Sequence, residues 1–365
     1  MDQLWANRAG SAEAAITKRH SKKLWAMPGT QLGVVAWPAA RKYRMFGTWH
    51  YWWQAHLLDC LVDAEVRDPQ PDRKRKIARQ IRGHRLRNLR WTNDYYDDMA
   101  WLAIALERAG RLVGVGRPKA LDTLSEQFLN AWVPEDGGGI PWRKQDQFFN
   151  TPANGPAAIF LARHDRLRRA QQMSDWLDET LIDPETHLVF DGIKGGSMVR
   201  AQYTYCQGVV LGLETELALR TRDGDHAKRV HRLVAAVRDN MAPDGIIKGA
   251  GGGDGGLFNG ILARYLALVA TSLPQNDADD DAARDTARKL VLASAEAAWD
   301  NRQTVEDLPL FAAFWDRTAE IPTAAGIQAE FVEGAVNASE IPERDLSVQL
   351  SGWMLMEAAH AVSDT

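Results

Sequence analysis

The strongest constraint on the fold is a helical periodicity that continues through nearly the whole chain. Apolar residues recur three and four positions apart, and alternating runs rich in β-branched residues are few. This pattern predicts about twelve helices, joined by Gly- and Pro-rich connections. The predicted helices span residues 9–26, 48–66, 71–88, 96–109, 118–132, 151–164, 166–182, 203–221, 225–241, 256–272, 280–300 and 344–361.

The regular spacing of these helices, about one every thirty residues, indicates six helical hairpins. Six hairpins can close into a double-layered ring whose inner helices surround a cavity. An open helical array is the alternative, but no repeat of the tetratricopeptide or HEAT type is legible. We therefore expect an all-α fold, an (α/α)6 barrel formed by residues 1–365 as a single domain.

Composition and charge exclude several classes of partner. A hydrophobic content of 45% with 25% charged residues is ordinary for a folded chain, and the net charge is −4. This charge gives no overall attraction to nucleic acid or to anionic lipid. The basic segment 67–90 keeps an apolar stripe and lacks aromatics for stacking bases, which favours a solvated outer helix. The sequence contains no run of about 18 apolar residues, so it predicts no membrane span.

The cysteines and the chain start bear on compartment and metal binding. Cys60 and Cys206 have no zinc-like spacing, which predicts free thiols, and the acidic run 276–285 lacks the glycine and terminal glutamate of a calcium loop. The first residues contain no basic region followed by an apolar run. We expect a cytoplasmic monomer without metal or cofactor, although an exported form trimmed of its signal would look the same.

Two adjacent carboxylates stand out in the segment "NDYYDDMAW". Asn93 or Asp94 is a suitable helix cap, and one acidic residue in the first turn would already satisfy the helix dipole. Asp97 and Asp98 together therefore exceed what the helix start requires. Repulsion between neighbouring carboxylates is tolerated where one of them must stay protonated. Retaining glycosidases use two carboxyls only about 5–5.5 Å apart, a separation that suits neighbouring residues.

The tryptophan content also favours carbohydrate binding. The chain has fourteen tryptophans, and several lie in loops or at helix starts beside glycine and polar residues: Trp49, Trp52, Trp53 and Trp142. Aromatic faces pack on the apolar faces of sugar rings, while amides and carboxylates bind the hydroxyls. Trp176 and Trp353 lie inside helical patterns and are predicted to be core residues.

Six sequence blocks carry a family resemblance over about residues 45–270. In chain order they are "YWWQAHLLDCLVDA", "NDYYDDMAWLAIAL", "GGGIPWRKQDQFFNTPANGPAAIFLAR", "LVFDGI", "AQYTYCQGVVLGLETELAL" and "GIIKGAGGGDGGLFNGILARYL". With these blocks in this order, the chain resembles the endo-α-1,6-mannanases of glycoside hydrolase family 76. Cys206 stands where family members usually have asparagine, and residues 301–343 fit the motifs poorly.

The resemblance implies an (α/α)6 barrel and retaining hydrolysis of α-1,6-mannan or mannooligosaccharides, with no metal or cofactor. The family's paired aspartates fall on Asp97, as nucleophile, and Asp98, as general acid/base. The resemblance also implies substrate contacts from seven residues: Asn93, Trp142, Asn154, Asp191, Tyr205, Gln207 and Asp254. Purely structural explanations stay open for most of them, namely tight turns for Asp191 and Asp254, capping for Asn154, and interhelical hydrogen bonds for Tyr205 and Gln207.

Three other functions remain open from the sequence. The same fold and intermediate would support transglycosylation, in which a second sugar replaces water as the acceptor. An (α/α)6 sugar epimerase would use cavity histidines for proton transfer, and only His50 and His56 lie near a motif. A carbohydrate-binding protein with a dead site is the third, and the intact aspartate pair argues against it.

Overall fold

The fold is built from thirteen α-helices in the part of the chain that the computed structural model describes, residues 2–134, 138–249, 251–323, 327–332 and 334–363. The helices are α1 (Asp2–Arg19), α2 (Arg41–Arg44), α3 (Tyr51–Arg67), α4 (Pro71–Asn88), α5 (Tyr96–Val113), α6 (Pro118–Asn130), α7 (Thr151–Arg163), α8 (Leu167–Leu181), α9 (Thr204–Thr221), α10 (Gly224–Met241), α11 (Phe258–Ser272), α12 (Ala278–Asp300) and α13 (Leu346–Ser363).

Six of these helices close into an inner ring. Helices α3, α5, α7, α9, α11 and α13 each pack against the next, and α13 returns to contact α3. The outer layer consists of α4, α6, α8, α10 and α12, each packed on the inner helix before it, while α1 packs on α13. The ring is closed, so the (α/α)6 barrel predicted from the spacing is confirmed and the open array is wrong.

The distribution of buried residues differs between the outer and the inner helices. The outer helix α6 buries Ala120, Leu124 and Phe128, which are four residues apart and form a single apolar stripe. The inner helices are buried on nearly all sides and approach one another closely at glycines. A Cβ at Gly208 of α9 would lie 2.9 Å from the Cα of Leu262 in α11, so a side chain there would push the two helices apart.

Most predicted helices lie where the periodicity places them, and α4 matches residues 71–88 at both ends. The first predicted helix, 9–26, is wrong, because α1 ends at Arg19. The chain leaves the helix at His20, whose carbonyl accepts a hydrogen bond from the Val34 amide and whose ring bonds the Val34 carbonyl at 2.7 Å. The four-residue helix α2 was not predicted.

Nine short antiparallel strands connect the helices in the described residues. They are β1 (Ser21–Lys22), β2 (Leu32–Gly33), β3 (Phe148–Asn150), β4 (Gly192–Lys194), β5 (Ser197–Val199), β6 (Gln303–Val305), β7 (Leu308–Leu310), β8 (Glu330–Val332) and β9 (Ala335–Asn337). Strands β3, β4 and β5 form one sheet, and the others pair as β1–β2, β6–β7 and β8–β9. The β3–β4–β5 sheet and the β8–β9 hairpin border the cavity described below.

The mouth of the barrel at the C-terminal ends of the inner helices is charged. It holds a cavity of about 540 Å³, where Arg108 and Arg264 each bridge Asp59 and Asp63. Several inner helices have an arginine in their last turn, which complements the negative end of the helix dipole: Arg67, Arg111, Arg163 and Arg220.

Buried positions agree with several predictions. Trp176 and Trp353 are core residues, and both cysteines are free and buried. The acidic run leads into α12, whose first turn is capped by Asp277. Among the described helices, none has the length and apolar character needed to cross a membrane.

Candidate active site

A cavity of about 370 Å³ opens at the N-terminal ends of the inner helices. Its walls combine carboxylates with many aromatic rings. The polar and aromatic lining residues are His50, Tyr51, Trp52, Tyr95, Asp97, Asp98, Trp101, Trp142, Phe148, Asn150, Asp191, Tyr203, Tyr205, Asp254, Phe258 and Phe331. Six of the predicted site residues are among them: Asp97, Asp98, Trp142, Asp191, Tyr205 and Asp254.

Helix α5 begins at Tyr96, as predicted, but the residue that caps it differs from the predicted one. Tyr95 occupies the N-cap without a side-chain cap, so the capping predicted for Asn93 or Asp94 is wrong. Asn93 Oδ1 instead accepts from the Tyr95 amide at 3.0 Å, and its Nδ2 donates to Asp98 Oδ2 at 2.5 Å. Asp94 points outward, with 84% of its side chain exposed. Asn93 thus orients a carboxylate and does not line the cavity.

Asp97 receives two N–H donors. Its Oδ1 accepts from the Asp98 amide at 2.8 Å, and its Oδ2 accepts from Trp142 Nε1 at 2.8 Å. The start of α5 also places Asp97 near the positive end of the helix dipole. These contacts favour the ionised form of Asp97.

The two carboxyls differ in proton affinity. Burial raises the pKa of Asp97 to about 7, while the N–H groups of Trp142 and Asp98 oppose that rise. Burial, and then the negative charge of Asp97, raise the pKa of Asp98 well above its usual value. Because like charges this close disfavour double ionisation, the pair keeps one proton near neutral pH, and Asp98 is the carboxyl that holds it.

Trp142 is fixed by the loop that carries it. Its carbonyl accepts from the Tyr96 amide at 2.9 Å, and its amide donates to the Phe148 carbonyl at 2.7 Å. The indole makes edge-to-face contacts with Tyr95 and Phe148, at centroid distances of 5.3 and 5.9 Å. The loop between α6 and β3 therefore presses Trp142 onto the start of α5 and aims its N–H at Asp97.

Asp254 lines the cavity but is occupied by protein donors. Its Oδ1 accepts from Trp52 and Trp53, both at 2.9 Å, and its Oδ2 accepts from the Val336 amide at 2.7 Å. Burial raises the pKa of Asp254. The carboxylate links α3 to the β8–β9 hairpin and adds negative charge that raises the pKa values of Asp97 and Asp98.

Asp191 and Tyr205 both line the cavity. The carboxylate of Asp191 has the Cys206 thiol near it, with Sγ 4.0 Å from Oδ1, and burial raises the pKa of Asp191 to about 7. Tyr205 stacks on Phe258 with ring centroids 3.9 Å apart. These two residues can contribute a hydrogen-bonding carboxyl and a phenol to a bound ligand.

Asn154 and Gln207 lie outside the cavity lining and are fully buried. Asn154 accepts from the Ile140 amide and donates to the Ile140 carbonyl, each at 2.8 Å. Gln207 accepts from the Val189 amide at 2.7 Å and donates to the Val189 carbonyl at 2.9 Å. Both amides are bound to loop backbone, so neither enters the substrate contacts proposed below.

Several lining residues were not singled out from the sequence: Tyr51, Tyr95, Trp101, Phe148, Asn150, Tyr203, Phe258 and Phe331. Most lie inside the quoted sequence blocks or next to one, so closeness to a block was the available signal. Phe331 is the exception, because residues 301–343 fit the family motifs poorly. Only the fold brings its hairpin to the cavity.

One group of residues has a geometry that a metal could use. In the described ranges, His231, Asp277 and Asp280 bring one potential ligand atom each within 4.8 Å of one another. Their side chains already have partners, because Asp277 caps α12 and His231 Nε2 lies 2.8 Å from Asp280 Oδ1. None of the three lines the catalytic cavity.

Solved structures similar to this chain share its barrel. The GH76A α-1,6-mannanase from Salegentibacter sp. HEL1_6 is 28% identical, with a TM-score of 0.81, covering 98% of this chain and 100% of that chain. An inactive variant of that mannanase, with asparagine for aspartate at two consecutive positions, was solved with α-1,6-mannotriose at the same TM-score of 0.81, identity of 28% and coverage of 98% and 100%.

A more distant structure shows the fold alone. Dfg5 from Chaetomium thermophilum, in complex with glucosamine, is 15% identical with a TM-score of 0.73, covering 99% of this chain and 90% of that chain. A comparison with curated proteins gave no match.

The sequence profile of glycosyl hydrolase family 76 matches residues 8–351, nearly the whole length of the chain. This match agrees with the closed double ring of helices and with a carboxylate pair at the end of that ring. The chain belongs to glycosyl hydrolase family 76 and is a glycosidase.

Proposed function

We propose that this glycosidase is an endo-acting, retaining hydrolase of α-1,6-mannosidic linkages in mannan or mannooligosaccharides. The observation that carries the proposal is the aspartate pair at the start of α5. Asp97 receives two N–H donors, Asp98 receives one, and both line a cavity rich in aromatic rings. One ionised and one protonated carboxyl side by side are what double displacement at an anomeric carbon requires.

In the first step, the ionised carboxylate of Asp97 attacks the anomeric carbon of the mannosyl unit. The bond between that carbon and the glycosidic oxygen breaks as Asp98 transfers its proton to the departing oxygen. The product is a mannosyl ester of Asp97 with Asp98 ionised. Once Asp97 is esterified its negative charge is lost, so the pKa of Asp98 falls toward the range of a general base.

In the second step, ionised Asp98 removes a proton from water, and the water oxygen attacks the same carbon. The ester bond to Asp97 breaks and the carboxylate is released, which returns the pair to its starting state. Two displacements at one carbon retain the α configuration. Asp191, Tyr205 and the face of Trp142 are the residues we propose to contact the sugar, by hydrogen bonding and by stacking.

The linkage assignment is supported by the neighbours. The Salegentibacter α-1,6-mannanase shares the barrel over 98% of this chain, and its doubly substituted variant was solved with α-1,6-mannotriose. In this chain Asp97 and Asp98 are likewise consecutive and lie in the aromatic cavity. The epimerase alternative is not favoured, because His50 is the one histidine among the described lining residues and burial lowers its pKa to about 4.

The test is to incubate the protein with linear α-1,6-mannan and measure new reducing ends. Wild type should release oligosaccharides of mixed length, the pattern of internal cleavage. Asp97→Asn and Asp98→Asn should each lower the rate by about three orders of magnitude or more while circular dichroism stays unchanged. Near wild-type activity in either variant would remove that residue from its role. Binding of mannan without new reducing ends would sink hydrolysis altogether.

Transglycosylation uses the same mannosyl ester and is distinguished from hydrolysis by its products. With an added mannoside acceptor, a transglycosylase forms longer chains in preference to free reducing ends. Predominant chain extension would therefore replace hydrolysis with transfer while leaving the roles of Asp97 and Asp98 intact.

A further inference from the structure

The β8–β9 hairpin forms one wall of the catalytic cavity and carries an aromatic ring there. Phe331 lines the cavity although 59% of it is exposed. Its cross-strand partner in the hairpin is Val336, which also lines the cavity. Because directly paired residues of an antiparallel ladder project from the same face, the face that holds Phe331 and Val336 is turned toward the cavity. Val332 belongs to the opposite face and does not line the cavity, although its cross-strand partner Ala335, next to the turn, does.

The hairpin is attached to the rest of the site at its base. The Val336 amide donates to Asp254 at 2.7 Å. Next to the strands, the Ala329 amide donates to Ser339 Oγ at 2.9 Å, and the Ser339 amide donates to Asp345 at 3.1 Å. The Phe331 ring is thus presented by a backbone that is bonded to the carboxylate network of the cavity.

The environment of Phe331 suits the apolar face of a sugar ring. In the described residues, no aromatic ring stacks on Phe331, so its exposed face is available. A phenyl ring has no polar atom to bind hydroxyls, and its contribution to carbohydrate binding is contact with the C–H face. Since more than half of the residue is exposed while the aspartates are only partly accessible, Phe331 lies toward the mouth of the cavity.

We propose that Phe331 is a stacking platform for a sugar unit of the substrate other than the one that Asp97 attacks. The platform makes the enzyme prefer longer chains, because short oligosaccharides cannot reach both the aspartate pair and the mouth. This inference rests on the function proposed above and adds the residue that recognises chain length.

The experiment compares wild type with Phe331→Ala on α-1,6-mannooligosaccharides of two to six units. We expect Phe331→Ala to lower kcat/KM about tenfold on the longest chains and to leave the shortest that wild type cleaves unchanged, since stacking contributes about 1–1.5 kcal/mol. Phe331→Tyr keeps the ring and should stay near wild type. Val332→Ala, one residue along on the other face, is the matched control and should show no dependence on length.

The outcomes separate this inference from the proposed function. If wild type cleaves mannan and Phe331→Ala loses the same factor at every length, or loses nothing, the platform is contradicted and hydrolysis stands. If wild type cleaves no member of the series, the proposed function fails, and the platform fails with it. A thermal melt of Phe331→Ala that matches wild type confirms that the loss concerns binding.

Discussion

At the scale of single residues, the site depends on which carboxyl receives N–H donors. Trp142 and the Asp98 amide both donate to Asp97, whereas Asn93 donates to Asp98. Burial raises both pKa values, and the donors hold Asp97 below its partner. The charge state proposed for catalysis therefore follows from hydrogen bonds that single substitutions can remove.

Replacing Trp142 by phenylalanine should shift the pH dependence. Because the indole N–H stabilises ionised Asp97, its loss raises the pKa of Asp97, and a higher pH is then needed to form the nucleophile. In wild type, kcat/KM should fall as the pH drops through about 7. In Trp142→Phe this acidic limb should move up by roughly 0.5–1 pH unit, as expected for one lost hydrogen bond. Trp132→Phe, outside the cavity, is the control, and an unmoved limb in Trp142→Phe would contradict the assignment.

Removing both charges should stabilise the protein at alkaline pH. A carboxyl whose pKa is raised in the folded state binds its proton more tightly there, so its destabilising effect grows as the pH rises above the unfolded pKa and is complete once the pH passes the folded value, about 7 for Asp97. The Asp97→Asn/Asp98→Asn variant should melt roughly 2–5 °C above wild type at pH 8, with a smaller difference at pH 4. Asp94→Asn, at an exposed carboxylate, should change neither value. A double variant that is less stable than wild type at pH 8 would show that the two carboxylates do not destabilise the folded protein.

The aspartate pair could be predicted from the sequence because two adjacent charges beside an apolar stripe exceed what a helix start requires. The orientation of Asn154 and Gln207 could not. An amide that binds a loop backbone and an amide that binds a sugar have the same sequence signature, and only the fold shows that both side chains are fully buried. Asn93 was also ambiguous, since its contact with Asp98 depends on the irregular turn before α5.

At the scale of elements, the β8–β9 hairpin connects distant parts of the site. Asp254 holds Val336 at one end, and Gly334 at the turn lies against the Trp142 ring. Gly334 has a φ of +99°, and a Cβ built there would overlap Cη2 of Trp142. The hairpin therefore supports the indole that orients Asp97.

Substituting Gly334 by alanine should impair catalysis through Trp142. The added methyl group displaces the indole from Asp97, so we expect kcat to fall about tenfold or more, the loss from one misplaced catalytic contact. Gly196→Ala is the matched control, because Gly196 also has a positive φ, of +79°, but nothing lies within 4 Å of its Cβ position. Rates on a mannooligosaccharide decide the matter, and equal effects in the two variants would show that backbone strain alone is responsible.

Helices and strands could be predicted where the sequence pattern that marks them is local. Helix α4 has proline at its first position and a continuous stripe, so both ends could be read. The strands are two or three residues long, too short for alternation to show, and β3 pairs with β4 more than forty positions later. Pairing over that distance is decided by the closed barrel.

At the scale of the whole molecule, the barrel separates two charged ends. The N-terminal ends of inner helices meet the cavity with Asp97 and Asp98, and arginines gather at the C-terminal ends. Sequence spacing predicted the closed ring, but it did not predict that the outer helix α1 packs on the last inner helix α13. This contact joins the first helix to the last, and no periodic pattern in the sequence indicates it.

The ion-pair network at the opposite mouth should be structural. Asp59 accepts from Arg108 and Arg264, and its side chain is 6% exposed. Asp59→Asn leaves two buried cations short of a counter-charge, so we expect a loss of about 2–4 kcal/mol in the free energy of unfolding measured with urea. Asp239→Asn breaks a surface pair with Arg238 and should cost under about 0.5 kcal/mol. A comparable loss in the two variants would contradict the structural role.

The most direct test of the account is the configuration of the first product. Proton NMR during the first minutes of α-1,6-mannooligosaccharide cleavage resolves the anomer released before it equilibrates in water. We expect the α anomer at the new reducing end, because Asp97 and water each invert the same carbon once. Initial formation of the β anomer would mean a single displacement by water and would contradict Asp97 as nucleophile.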